Sequence, residues 1–204
     1  MCTAFVVDSR PRQTLGRYGE NEVRYEQLLV SAGHCATVGD EFRFETKAYR
    51  HRYEFGGKEY GFWVGAGTAY AQLVGFSSGP RGYDVGVWRF WTHVPYPTLQ
   101  VKRRYVAIPG ELLLVIGYPS KVLQAYIAPF VRYESDGVLS IGRVGQKGMS
   151  GSPVLNKEGK VVGVAVAMKV KNPYACFLGV CERLPEYYAE PIDRVFGIVK
   201  LEDR

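Results

Sequence analysis

Three short segments of this chain place a hydroxyl, an imidazole and a carboxylate beside apolar runs. Ser31-Ala-Gly-His-Cys35 follows the run Glu26–Val30. Tyr83-Asp-Val-Gly-Val87 opens a second run with a carboxylate. Gly145-Gln-Lys-Gly-Met-Ser-Gly-Ser-Pro153 is a glycine-rich turn. A hydroxyl is a poor nucleophile near neutral pH and needs a base within hydrogen-bond reach. The base in turn needs a carboxylate to fix its tautomer and to stabilise the imidazolium. Glycines around a serine permit a sharp turn and let backbone N–H groups converge where an oxyanion develops. Singly, each residue has an ordinary explanation: Ser150 as a loop serine, His34 as a packed ring, Asp84 as a strand-end cap. Together they are the parts of an acyl-transfer site, with Ser152 a rival to Ser150 by composition.

The elements that must position these groups read as short strands. Ala4–Val7, Glu26–Val30, Gly61–Val64, Tyr70–Val74 and Val85–Phe90 are rich in β-branched and aromatic residues, with turn residues between them. Thr92–Gly110 breaks the pattern with Pro95, Pro97 and Pro109 and holds the one dense basic run, Lys102-Arg-Arg104. Strands resume at Leu112–Ile116, Val122–Tyr133, Val138–Gly142, Val154–Leu155, Lys160–Met168 and Cys176–Val180. Asn156-Lys-Glu-Gly159 marks a hairpin. After Pro191, the spacing of Ile192, Val195, Phe196 and Val199 predicts a short amphipathic helix. The expectation is an all-β chain in two halves, 1–92 and 111–184, joined by a linker at 93–110 and ended by a helix and tail at 185–204.

The 204 residues, 47% apolar and 23% charged, suit a globular protein with one large or two small cores. No run approaches the roughly 20 apolar residues of a membrane span, which argues against a membrane partner. The N-terminus shows no secretory pattern, so the expected setting is intracellular or virus-associated. A net charge of +6 with one three-residue basic run is weak support for nucleic acid. That run reads as a solvated linker or, less simply, as a charged partner surface. Three asparagines and three methionines against many Val, Tyr, Glu, Lys and Arg lean towards a heat-adapted source.

Of the four cysteines, Cys2, Cys35, Cys176 and Cys181, the last two flank a plausible hairpin tip and could approach each other. The three histidines are scattered at 34, 51 and 93, which leaves too few ligands for zinc. No cofactor or metal is expected.

The segments resemble the motifs of chymotrypsin-like serine peptidases. Ser31-Ala-Gly-His34-Cys35 resembles their histidine motif and Asp84-Val-Gly-Val87 their aspartate motif. Gly148-Met-Ser150-Gly-Ser-Pro153 resembles their serine motif, with Ser152 in place of the usual last glycine. Gly117-Tyr-Pro119 and the hairpin Val154–Gly163 resemble the HtrA-like and glutamyl-endopeptidase-like branches. The likeness runs over roughly residues 4 to 168. It implies two six-stranded antiparallel β-barrels with the site between them, a polypeptide substrate, and Ser150 rather than Ser152 as nucleophile. His34 would be the general base and acid, Asp84 its orienting carboxylate, and the N–H groups of Gly148 and Ser150 the oxyanion hole.

The same resemblance places the specificity pocket at Val144, Gly145, Gln146 and Lys147 and at Ala165, Val166, Ala167 and Met168. Those stretches hold no acid and no histidine, so a medium apolar residue before the cut is expected. Met149 stands where many relatives carry an aspartate that pairs with a new N-terminus, so packing, substrate or a partner must hold the site. Cys35 has the position of a usually bridged cysteine. With no cysteine in the strands just upstream and only Cys2 before it, the expectation is a free, buried thiol. A binding module that has lost catalysis is the competing reading. A viral or phage maturation enzyme is a setting suggested by analogy alone.

Overall fold

The structure is a computed structural model. It describes residues 2–16, 19–35, 41–46, 49–55, 58–64, 67–76, 84–142, 147–169, 174–177, 180–183 and 186–201. The first half contains β1 (Phe5–Leu15), β2 (Asn21–Ala32), β3 (Glu41–Thr46), β4 (Tyr49–Phe55), β5 (Lys58–Val64), β6 (Gly67–Phe76) and β7 (Val85–Thr92). The second contains β8 (Leu112–Gly117), β9 (Gln124–Tyr133), β10 (Leu139–Ile141), β11 (Pro153–Leu155), β12 (Val161–Lys169), β13 (Tyr174–Phe177), β14 (Val180–Arg183) and β15 (Glu186–Pro191). One short helix, α1 (Asp193–Phe196), follows.

In the second half β10-β15-β12-β11-β8-β9 close into a six-stranded barrel. In the first half the order β1-β2-β7-β6-β3 makes a five-stranded antiparallel sheet, and β4–β5 form a separate hairpin. The chain is therefore all-β in two halves, as the strand spacing indicates. Alternation explains the pairing faces. Leu113 and Val115 of β8 and Ala128 and Phe130 of β9 point into the barrel with Leu139, Ile141 and Val162. Leu29, Phe42, Ala71, Trp88 and Phe90 fill the concave side of the first sheet.

A third apolar cluster joins the halves. Val30, Ala32, Val85 and Val87 from β2 and β7 pack with Leu155, Val161, Val164 and Val166 from β11 and β12, and with Tyr188, Ile192 and Val195 near the C-terminus. Ile192 and Val195 are fully buried, so the apolar spacing after Pro191 is a real face, although the helix is only one turn. The tail is shorter than the sequence suggests, because Glu186–Pro191 is a barrel strand. Tyr187, Tyr188 and Ala189 are buried there, and β15 fills the gap between β10 and β12.

The linker is pinned rather than loose. Leu99 N–H donates to Val6 O (2.9 Å), and Val101 bridges to Val161. Its basic run is partly engaged: the Arg103 guanidinium lies 4.3 Å from the Phe196 ring centroid, and Arg104 N–H donates to Asp193. The hairpin at Asn156–Gly159 turns as its sequence indicates, with Gly159 at φ +74° and the Asn156 side chain accepting from Glu158 and Lys160 N–H. Across β1, β2 and β7, Glu26 sits between Arg12 and Arg89. Burial opposes its charge, but hydrogen bonds and charge from the two arginines outweigh that and hold its carboxyl below the ordinary range.

The expectation of a free thiol at Cys35 is overturned: Cys2 and Cys35 form a disulfide. The start of β1 runs antiparallel to the end of β2, with Phe5 opposite Val30, and this register carries Cys2 back to the residue that follows His34. Cys176 and Cys181 face each other across the β13–β14 hairpin, in matching register. The Cys2–Cys35 bridge closes a loop with a sequence separation of 33, and such loops typically contribute roughly 3–4 kcal/mol. Replacing both cysteines with serine should therefore lower the unfolding free energy by about that amount in urea titrations. An unchanged urea midpoint would show that the bridge does not constrain the unfolded chain.

Candidate active site

His34 is lifted out of the sheet by a short 3₁₀ turn, Gly33–Cys35, at the end of β2. Asp84 immediately precedes β7. Because Ala32 pairs with Val85 in the β2–β7 ladder, the two residues emerge side by side. The backbone is tied twice: Gly33 N–H donates to Asp84 O (3.0 Å) and His34 N–H to Asp84 Oδ1 (2.6 Å). The His34 ring is hydrogen-bonded through Nδ1 to Asp84 Oδ2. With Nδ1–H donated to the carboxylate, Nε2 is left as the proton acceptor. Gly33 suits this approach, since a Cβ there would lie 3.0 Å from Asp84 Oδ1 and push on the carboxylate. The His34 side chain is 48% exposed, so a substrate can reach it.

Asp84 is also tied to the other half. Its backbone N–H donates to Oε1 of the buried Glu190 (3.4 Å), and Glu190 is paired with Arg194. The carboxylate that orients His34 thus has its backbone anchored on the barrel.

Ser150 lies on the turn between β10 and β11. Gly148 and Gly151 adopt φ +101° and +83°, a region that non-glycine residues occupy at a cost. A Cβ on Gly151 would fall 2.0 Å from Thr3 O and 2.2 Å from Ser31 Oγ. Gly151 N–H donates to Ala165 O (2.6 Å) and Ser152 N–H to Met149 O (3.0 Å), which tightens the turn. Met149 is buried in the barrel core. Packing holds the position where relatives carry the aspartate. Ser152 is fully buried, its hydroxyl beside the Met149 sulfur, whereas Ser150 is partly exposed. Neither Gly148 N–H nor Ser150 N–H has an acceptor among the described residues, so both are free to receive an anion.

The serine turn and the histidine are linked by a short path. Cys35, next to His34, is bonded to Cys2, and Thr3 N–H donates to Ser150 O (2.7 Å). The Ser150 hydroxyl itself donates to Val166 O (3.4 Å) rather than to His34. Cys2, His34 and Cys35 form one close group of potential metal ligands. Its two sulfurs are joined in the disulfide, so one imidazole is all that it offers a metal.

A profile of the trypsin-like peptidase domain matches residues 2–164. The chain belongs to that family. Among solved structures it is similar to the MamO protease domain from Magnetospirillum magneticum in its apo form. That likeness has 12% identity, covers 98% of this chain and 96% of that one, and has a TM-score of 0.58. It is also similar to a serine endoprotease from Yersinia pestis, at 13% identity and a TM-score of 0.57, covering 96% of this chain and 60% of that one. At these identities the likeness establishes the chymotrypsin-like fold. No curated protein matches the sequence.

In this trypsin-like domain the expected pocket residues are divided. Val144, Gly145 and Gln146 lie outside the described residues. Lys147 is exposed, Ala165 is buried in the barrel core and Val166 in the seam between the halves, while Ala167 and Met168 continue β12 opposite Tyr188 and Tyr187. A cavity of about 620 Å³ opens on the other side of the disulfide, lined by Thr3, Phe42, Phe44, Tyr118 and Lys121 among others. The sequence reasoning did not find Thr3 or Glu190. Glu190 carries a weak signal, a carboxylate in the otherwise apolar run Tyr187–Pro191, and Thr3 carries none. Gly151→Ala should destabilise the turn by about 1–3 kcal/mol or more and abolish covalent labelling by a serine-directed probe. A variant that labels at the parent rate would show that the turn tolerates a Cβ.

Proposed function

We propose that this trypsin-like domain is a serine endopeptidase. The observation that carries the reading is the His34–Asp84 pair, locked by side chain and backbone, beside a serine turn with two unpaired N–H groups. Ser150 Oγ attacks the scissile carbonyl while His34 Nε2 takes its proton. Asp84 keeps the imidazole in the required tautomer and stabilises its protonated form. The N–H groups of Gly148 and Ser150 receive the oxyanion of the tetrahedral intermediate. His34 then delivers the proton to the leaving amine, and water hydrolyses the acyl-enzyme by the reverse sequence. The hydroxyl must turn from Val166 O to His34 for attack, and catalytic hydrogen bonds are often formed only once substrate is bound. The lack of any acid or histidine in 144–147 and 165–168 supports cleavage after medium apolar residues.

The hydrogen bond from Ser150 to Val166 O is also the observation that favours the second reading, a binding module on the same fold without catalysis. A fluorophosphonate probe separates the two, because it reacts only with an activated serine. The intact protein and Ser152→Ala should label, and Ser150→Ala should not. With a peptide substrate, Ser150→Ala or His34→Ala should lower kcat by on the order of 10⁶-fold and Asp84→Asn by roughly 10⁴-fold. No labelling of the folded intact protein would favour the silent module. In a peptide library, cleavage should concentrate after medium apolar residues, and faster cleavage after Lys or Arg would overturn the pocket assignment.

A further inference from the structure

Thr3 is buried, with 4% of its surface exposed, and its polar groups reach three separate segments. Its N–H donates to Ser150 O (2.7 Å) and its hydroxyl to Gly148 O (3.0 Å). The same hydroxyl accepts from Tyr118 N–H (2.8 Å), and the carbonyl of Thr3 accepts from Ser31 Oγ (2.7 Å). The Gly148-Met-Ser150 turn is therefore gripped at both ends by one residue. That residue is held by β2 through Ser31, by the segment after β8 through Tyr118, and by Cys35 through its neighbour Cys2.

The turn needs such a grip. Glycine at φ +101° has other backbone conformations within easy reach, and turning the Gly148–Met149 peptide would redirect the chain that carries the Ser150 N–H relative to the Gly148 N–H. Met149 brings no charge to pair with an N-terminus. Its packing holds the middle of the turn but not the carbonyl of Gly148. A threonine hydroxyl has one proton to donate and lone pairs to accept, which matches the two partners, Gly148 O and Tyr118 N–H. Without it the buried Gly148 carbonyl and the half-buried Tyr118 N–H both lose this partner, at a cost that favours a rearranged turn. The node is crowded as well: a Cβ on Gly117 would come 2.8 Å from Thr3 Oγ1.

We infer that Thr3 is a positioning residue for the oxyanion hole: its hydroxyl fixes the Gly148–Met149 peptide, which lies between the peptide planes that carry the Gly148 and Ser150 N–H groups, and so sets how those two are presented. This rests on the serine-peptidase reading. The test compares Thr3→Val, which keeps the shape without the hydroxyl, with Thr3→Ser, which keeps the hydroxyl, in protein with the disulfide intact. Three quantities are read: kcat and KM on a peptide substrate, the rate of fluorophosphonate inactivation, and the amide resonances of Gly148 and Ser150.

Thr3→Val should lower kcat and the inactivation rate together by about 10- to 100-fold, with KM within about 2-fold, and should broaden or double the Gly148 resonance. Thr3→Ser should restore both rates to within about 3-fold of the parent and give a single Gly148 resonance. If Thr3→Val does not fold, Thr3→Ala takes its place, since it removes the hydroxyl and adds no bulk. Unchanged rates and an unchanged Gly148 resonance without the hydroxyl would overturn the inference. So would a Thr3→Ser protein as impaired as Thr3→Val. If the intact protein does not react with the probe, the peptidase reading fails by itself. The Gly148 resonance then decides whether Thr3 holds the turn.

Discussion

The structure depends on the buried seam between the two halves. Val30, Ala32, Val85 and Val87 from one side and Val164, Val166 and Tyr188 from the other exclude water from a surface shared by both. Each group with chemistry to do sits at the rim of that surface. His34 is two residues beyond Ala32, Asp84 is one residue before Val85, and Val166 supplies the carbonyl that accepts from Ser150. Burial is non-directional, yet here it sets geometry, because β-pairing fixes which residues leave the seam and on which side. A register slip of one residue in the β2–β7 ladder would turn Ala32 and Val85 away from the seam and separate His34 from Asp84.

An apolar seam brings elements together without fixing a hydroxyl or a peptide plane to a fraction of an ångström. The polar groups at its edge do that. Thr3, Ser31 and Glu190 are all buried, and each bonds to a segment distant in sequence. Ser31 bonds Thr3, Thr3 bonds Gly148 and Ser150, and Glu190 bonds Asp84. A buried polar group without its partner costs roughly 1–3 kcal/mol, so each of these contacts strongly favours one arrangement. Glu190 and Arg194 show the same logic with charge. A buried ion pair is poor evidence of stability on its own, but this one positions an acceptor for the Asp84 backbone, and Arg194 also donates to Asp136 O.

The three chemical motifs were legible because each is local. A histidine after a strand, an acid before a strand and a serine between glycines are patterns of consecutive residues, and the strand runs around them follow from side-chain alternation. What was missed is non-local. The Thr3–Gly148 contact spans 145 residues and the Asp84–Glu190 contact 106, and nothing in either neighbourhood announces its partner. The Cys2–Cys35 bridge was misjudged for a related reason. The free thiol is expected from the lack of a cysteine in the nearby strands, while the β1–β2 register that brings Cys2 to Cys35 is visible only in the fold. The strand β3 carries Phe42 and Phe44 at period two, but its six residues are studded with charge. In β15, Tyr187 and Tyr188 are adjacent and both buried, a pattern that period-two alternation does not select.

The orientation of the Ser150 hydroxyl follows from these same constraints. Without substrate the hydroxyl needs an acceptor, and Val166 O lies at 3.4 Å, a long and weak hydrogen bond. The hydroxyl leaves that acceptor by rotation about its own side-chain bond, between staggered positions. The bonds of Thr3 to the turn go to the backbone oxygens of Gly148 and Ser150, so they do not depend on where the Ser150 hydroxyl points. The turn around Gly148–Gly151 is fixed by buried contacts, and the imidazole tautomer by the Asp84 carboxylate at the surface. The serine hydroxyl, by contrast, is held by one long bond. The buried hydrogen bonds therefore fix the backbone of the serine turn and leave its hydroxyl lightly held, and the proposed peptidase chemistry relies on that difference.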